Sequence, residues 1–265
     1  MKKMLLTATL ALSTSLMAAP SIPLDQQISS FTVEEVSASQ LIDMGMGLEG
    51  GTQAGQGSAK AGNTGGLPGG TNPEIPGGTT SKPTFGDRLE QGGKVIQAAR
   101  DMVALGEAIY ELVKKGKPTN VTEYAPISVV PRDPMTKEIA DVFDLEGFSM
   151  PVERNFVARV KNGAGKEVVS FSYKVMYSYG GSYNGTGKYL TNVLIVPGAV
   201  RTTFGWDFNA TMKLSGMMNH GSKADPVAGV MVTVKYQMNS WSSAFERNDT
   251  IHVTGRGEFK NHMVQ

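Results

Sequence analysis

The sequence predicts a mainly β member of the α+β class, an antiparallel β-sandwich or partly open barrel preceded by an amphipathic helix. Three observations carry that expectation. After Gly147 apolar residues recur at every second position, which is the period of a strand with one buried and one wetter face. No helical pattern intervenes between those runs, which argues against a parallel α/β fold. Eighteen of the twenty Phe, Trp and Tyr residues lie at Tyr110 or beyond, which places the core in the C-terminal part.

The chain opens on Lys2 and Lys3, an apolar run from Met4 to Ala19 and the small pair Ala18-Ala19. These are the three parts of a secretory signal peptide, expected over 1–18 with cleavage after Ala18, because Pro20 disfavours cutting directly before it. A run this short falls below the ~20 residues a membrane-spanning helix needs, and no later stretch reaches that length. The mature chain is therefore expected to have no transmembrane helix. Residues 19–44 read as a short leader with a possible docking helix, from the capping-box pattern Thr32-x-x-Glu35 and the apolar Val33, Val36, Leu41 and Met44. Residues 45–86 hold 14 glycines and almost no large apolar side chain, the composition of a flexible linker, and their irregular spacing rules out collagen.

Residues 87–262 read as one domain of helix plus sandwich. Asp87-x-x-Glu90 repeats the capping-box pattern, and Val95, Ala99, Met102, Gly106, Ile109 and Val113 follow at helical intervals, with Ile96, Val103 and Tyr110 beside them. Lys114 and Lys115 suit the end of such a helix and Gly116 its cap, so a helix is expected over 93–115. Its apolar side either packs on the sheet or turns Ile96, Met102, Val103, Ile109 and Tyr110 toward a membrane or partner. Asp133-Pro134 reads as the start of a shorter helix carrying Met135, Ile139, Val142 and Phe143. Strands are then expected around Phe156–Val160, before the turn Asn162-Gly163, and at Val169–Tyr179. Others follow at Tyr189–Ile195, ending before Pro197-Gly198, at Phe204–Leu214, at Val230–Met238, and at Ile251–Val253 as a short last strand.

The chemistry the sequence offers is sparse. Lys+Arg 25 against Asp+Glu 24 leaves no cationic excess for nucleic acid. With Cys 0 the chain has no disulfide, thiol nucleophile or thiolate metal ligand. The three histidines, His220, His252 and His262, lack helical zinc spacing, and no G-x-S-x-G elbow is present. His220 sits in a turn where it could line a site with Asp225, and His252 is expected on the wet face of its strand. Gly185-Thr186-Gly187-Lys188 resembles part of a phosphate loop, yet Ser182 stands where its first glycine belongs and Tyr189 where a magnesium-binding hydroxyl belongs. No cofactor, metal or enzymatic activity is expected.

The most distinctive segment runs from Tyr177 to Tyr189 and interleaves tyrosines with glycines. Tyrosine offers an apolar face and a polar tip, suited to sugar rings or lipid headgroups. Tyr179, Tyr183, Asn184, Lys188 and Tyr189 are the candidate ligand-binding residues. The short signal and the lack of cysteine point to bacterial export, with the protein in the periplasm, at the outer membrane or secreted. The expected function is a non-enzymatic binding or structural module of the cell envelope, its partner an envelope protein, a glycan or another copy of itself. The alternative is a membrane-active or pore-forming protein making peripheral membrane contact through the 93–115 helix and the tyrosine-rich loop.

Overall fold

A computed structural model describes residues 23–46, 95–98 and 101–263. The expected signal peptide, nearly all of the 45–86 linker and the Asp87–Glu90 capping box lie outside the described residues. In chain order the elements are β1 (Ile28–Val36), α1 (Ala38–Asp43), β2 (Val95–Ala98), β3 (Met102–Leu105), β4 (Ile109–Lys114), β5 (Lys117–Pro118), β6 (Ile127–Pro131), β7 (Leu145–Glu146), β8 (Val152–Asn162), β9 (Glu167–Tyr183), β10 (Thr186–Thr202), β11 (Trp206–Asn219), β12 (Ala228–Ser240), β13 (Ala244–Thr254) and β14 (Phe259–Met263). They build two antiparallel sheets packed face to face. Sheet A runs β1-β8-β9-β10-β6-β3-β2, with β7 added to β9, and sheet B runs β14-β13-β12-β11-β4-β5.

The alternating rows predict the buried faces. Phe156, Ala158 and Val160 of β8 and Phe171, Tyr173, Val175 and Tyr177 of β9 point inward. They meet Phe208, Ala210 and Met212 of β11, Val230, Val232, Val234 and Tyr236 of β12, and Ile251 and Val253 of β13. Phe171 packs on Tyr173 and on Phe208, with ring centroids 5.4 and 5.5 Å apart. A second, smaller cluster lies on the outer face of sheet A, where Leu41 and Met46 cover Val157 beside Val36. Within the expected leader, residues 38–43 form α1, which packs on the sandwich, while Val33 and Val36 belong to a strand and not to a helix. The capping box of α1 is Ser37 with Gln40, because Thr32 and Glu35 belong to β1, whose backbone groups pair with β8.

The described residues of the expected 93–115 helix are not helical. That stretch forms three short strands, β2, β3 and β4, the first two in sheet A and the third in sheet B. Apolar residues three and four apart arise here because turns between the strands reset a period of two. Gly106 is the telling residue: it adopts φ +128, and a Cβ there would lie 2.6 Å from the Pro126 carbonyl oxygen. Lys115 and Gly116, read as a helix end, both have positive φ and close a two-residue hairpin between Lys114 and Lys117. Ile96 lies in β2; Met102, Val103 and Tyr110 are buried strand residues. Ile109 is 54% exposed at the start of β4. Among the described residues this stretch accordingly offers no helical face to a membrane.

Four further expectations are corrected. Asp133-Pro134 opens a tight turn, not a helix: Asp133 N–H donates to the Glu138 carbonyl and Arg132 bridges Ile139, leaving only a single 3-10 turn at Val142–Asp144. β10 continues through Pro197 to Thr202. Its pairing with β6 ends at Val193, so the missing proline N–H costs no ladder bond on that side. Ile251 and Val253 sit in the eleven-residue β13, and β14 follows it. Phe204 precedes β11, which begins at Trp206.

Where β10 leaves β6, sheet B supplies the missing partner. The buried Tyr110 hydroxyl of β4 accepts from Ile195 N–H at 2.8 Å and donates to Ile195 C=O at 3.1 Å. Burial raises its phenol far above the ordinary range, so the hydroxyl stays protonated. Tyr110→Phe strands both backbone groups in the core and is expected to lower stability by about 1–3 kcal/mol, read as a reduced urea midpoint with an unchanged m value.

Candidate binding cleft

Three turns meet at one end of the sandwich and enclose a cleft of about 270 Å³. The first is the β9–β10 hairpin, where Asn184 and Gly185 both take positive φ and join the paired Tyr183 and Thr186. The second is the segment after β6, whose Arg132, Asp133 and Lys137 face the cleft. The third is the β11–β12 turn, which adds Lys223 and Pro226. Asp101, at the foot of β3, and Tyr189 complete the wall.

Each turn is internally tied. Asp133 Oδ1 accepts from Met135 N–H and Thr136 N–H, both at 2.8 Å, and Oδ2 accepts from the Tyr183 hydroxyl at 2.9 Å. The last bond locks the hairpin tip to the segment after β6. Asn219 Oδ1 accepts from Gly221 N–H and Val227 N–H, while Asp225 Oδ1 accepts from Gly187 N–H at 2.9 Å. The Lys188 N–H donates to the Pro226 carbonyl at 2.8 Å, joining sheet A to the β11–β12 turn. Tyr189 is buried against Gly187, where a Cβ would lie 2.5 Å from its ring. Burial, with Asp101 and Asp225 nearby, pushes its phenol up to about 12.

The five residues singled out from the sequence divide between two places. Tyr183, Asn184 and Tyr189 line the cleft. Tyr179 and Lys188 instead flank a neighbouring open depression with Arg256, where the Tyr179 ring lies over Gly257. The cleft's charged groups, Arg132, Lys137, Lys223, Asp101 and Asp133, were not found by sequence reasoning. Only Asp133 gave a local signal, as a turn-capping residue.

His220 does not join Asp225. It lies against His252, Nε2 to Nε2 at 2.9 Å, with the His262 ring 6.4 Å from that of His252. The first two rings occupy space that a Cβ on Gly229 would fill. Burial and the other two histidines lower the His252 pKa. Among the described residues no group of three His, Cys, Asp or Glu side chains is placed to hold a metal ion, and no helix is long and apolar enough to cross a membrane. Comparison of the chain with protein-family models, with curated proteins and with solved structures finds no match.

The two backbone bonds and the tyrosine bond hold the Asp133 carboxyl below its usual range, and the same contact raises Tyr183. The folded form therefore favours the carboxylate, so its contribution to stability is complete above pH ~4 and is lost as pH falls through the lowered pKa. A carbon-detected NMR titration should show Asp133 as a low outlier among the exposed aspartates. Tyr183→Phe should move it part of the way back.

Proposed function

We propose that this protein is an exported, non-enzymatic binding module of the bacterial cell envelope, and that its cleft takes an acidic, hydroxyl-rich glycan. The observation that carries the reading is the fixed position of Tyr183 at the cleft mouth, between Asn184 and the cationic Arg132, Lys137 and Lys223. A tyrosine face with an amide beside it suits a sugar ring, and several cations outnumbering the acids suit its carboxylates. Asp133 spends its oxygens on two backbone N–H groups and on Tyr183. It acts as a brace for the tyrosine rather than as a proton-transfer group. The export half of the proposal rests on the N-terminal Lys2-Lys3, the apolar run behind them and the absence of cysteine.

The proposal is tested by titrating the protein calorimetrically with soluble peptidoglycan fragments and with acidic envelope polysaccharides. Tyr183→Ala is expected to weaken binding at least tenfold while the melting temperature stays within about 2 °C. Lys223→Glu should weaken it further at low salt than at high salt. No heat of binding from either class of glycan by the wild-type chain would remove the reading.

A further inference from the structure

The end of the sandwich opposite the cleft presents large apolar side chains at the tips of its turns. Phe204, between β10 and β11, is fully exposed at 101%, Trp241, between β12 and β13, at 73%, and Leu24, ahead of β1, at 63%. They are neighbours. Trp206, two residues past Phe204, pairs with Ser240, which directly precedes Trp241. The Ser243 hydroxyl of the Trp241 turn donates to the Gln26 carbonyl at 2.7 Å, strapping the Leu24 segment alongside.

These tips stand on fixed backbone. Ser240 N–H donates to the Ser243 carbonyl at 2.7 Å and Trp206 N–H to the Thr203 carbonyl at 3.1 Å, so both turns are closed by their own hydrogen bonds while their largest side chains point out. A soluble surface scatters such residues singly; here three converge on one end. The β4–β5 hairpin and the β8–β9 turn add Lys115, Lys117, Lys161 and Lys166 at the same end, and none of these makes an ion pair among the described residues. Among the described residues Asp25, Glu167 and Asp207 are the acids there, so the balance of described charges is positive.

We infer that this end is a docking surface for an anionic lipid bilayer. Separate protruding tips fit a fluid interface into which each side chain enters independently, whereas a protein partner calls for a continuous complementary face. Tryptophan belongs at that interface because its ring is apolar and its N–H remains hydrated, and lysines around it meet anionic headgroups. The inference uses none of the cleft residues and stands independently of the glycan reading.

The two tryptophans make the test direct, since Trp206 is buried and Trp241 is not. The full chain is mixed with vesicles of phosphatidylcholine and phosphatidylglycerol, with and without bromine-labelled acyl chains. Wild-type emission should shift to the blue and be quenched by the bromine label, and Trp241→Phe should abolish that response while still binding. Phe204→Ser should raise the lipid concentration for half-maximal response about tenfold, and added salt should raise it as well. Tyr183→Ala should leave it unchanged. Trp241 emission that stays water-like with these vesicles overturns the inference. So does a blue shift that appears with rising protein concentration and no lipid, because a second copy then covers this end.

Discussion

Two tyrosine hydroxyls cross the interior of a molecule that has no covalent cross-link, and they fix how its halves sit on each other. Apolar faces attract without direction, so burial alone leaves one sheet free to slide over the other. Tyr110 reaches from β4 to both backbone groups of Ile195 in β10. Tyr236 of β12 donates to the Tyr173 hydroxyl of β9 at 3.0 Å, deep among Phe171, Phe208 and Phe156. Sliding would break either bond in a place water does not reach, at the full cost of an unpaired buried polar group. With Cys 0 in the sequence, this directional constraint does part of the work that disulfides do in many exported domains.

The long strands were legible because each has one clean inward row, as in β9, where Phe171, Tyr173, Val175 and Tyr177 alternate with more polar neighbours. Short strands buried on several sides were not. Met102, Val103 and Ala104 are consecutive and all buried in β3, so no alternation survives, and the turns at Gly106 and Gly116 place the next apolar residues where a helix would. β1 was hidden differently: it carries an exposed acid on each face, Glu34 meeting Arg159 and Glu35 meeting Arg154 of β8. Acids three positions past a threonine also read as a helix start. In the cleft, the tip residues Tyr183 and Asn184 announced themselves through hairpin chemistry, whereas Asp133 lies 50 positions from Tyr183. That pairing is set by how β6 and the β9–β10 hairpin are laid into one sheet, and no local pattern records it.

The strands also set the distance between the cleft and the opposite end of the sandwich. β9 spans 17 residues from the lysine-bearing turn to the tyrosine at the cleft, roughly 50 Å at about 3.3 Å per residue. A sandwich standing on Phe204 and Trp241 would hold the cleft that far above the lipid. The outer face of sheet A is partly roofed by α1 and the residues just after it, where Ser170 and Ser172 donate hydrogen bonds to Met46.

The placement of β1 governs when the molecule can close. Its partner strand in the sheet, β8, lies more than a hundred residues later, Ile28 opposite Asn162 and Val36 opposite Asn155. β1 cannot take its place before β8 has been made, and the Phe31 ring it contributes beside Tyr236 and Arg247 waits with it. A fold so dominated by distant pairings forms slowly compared with one made of local contacts. Until β8 has been made, β1 has no strand to pair with, and the sandwich cannot close around Phe31.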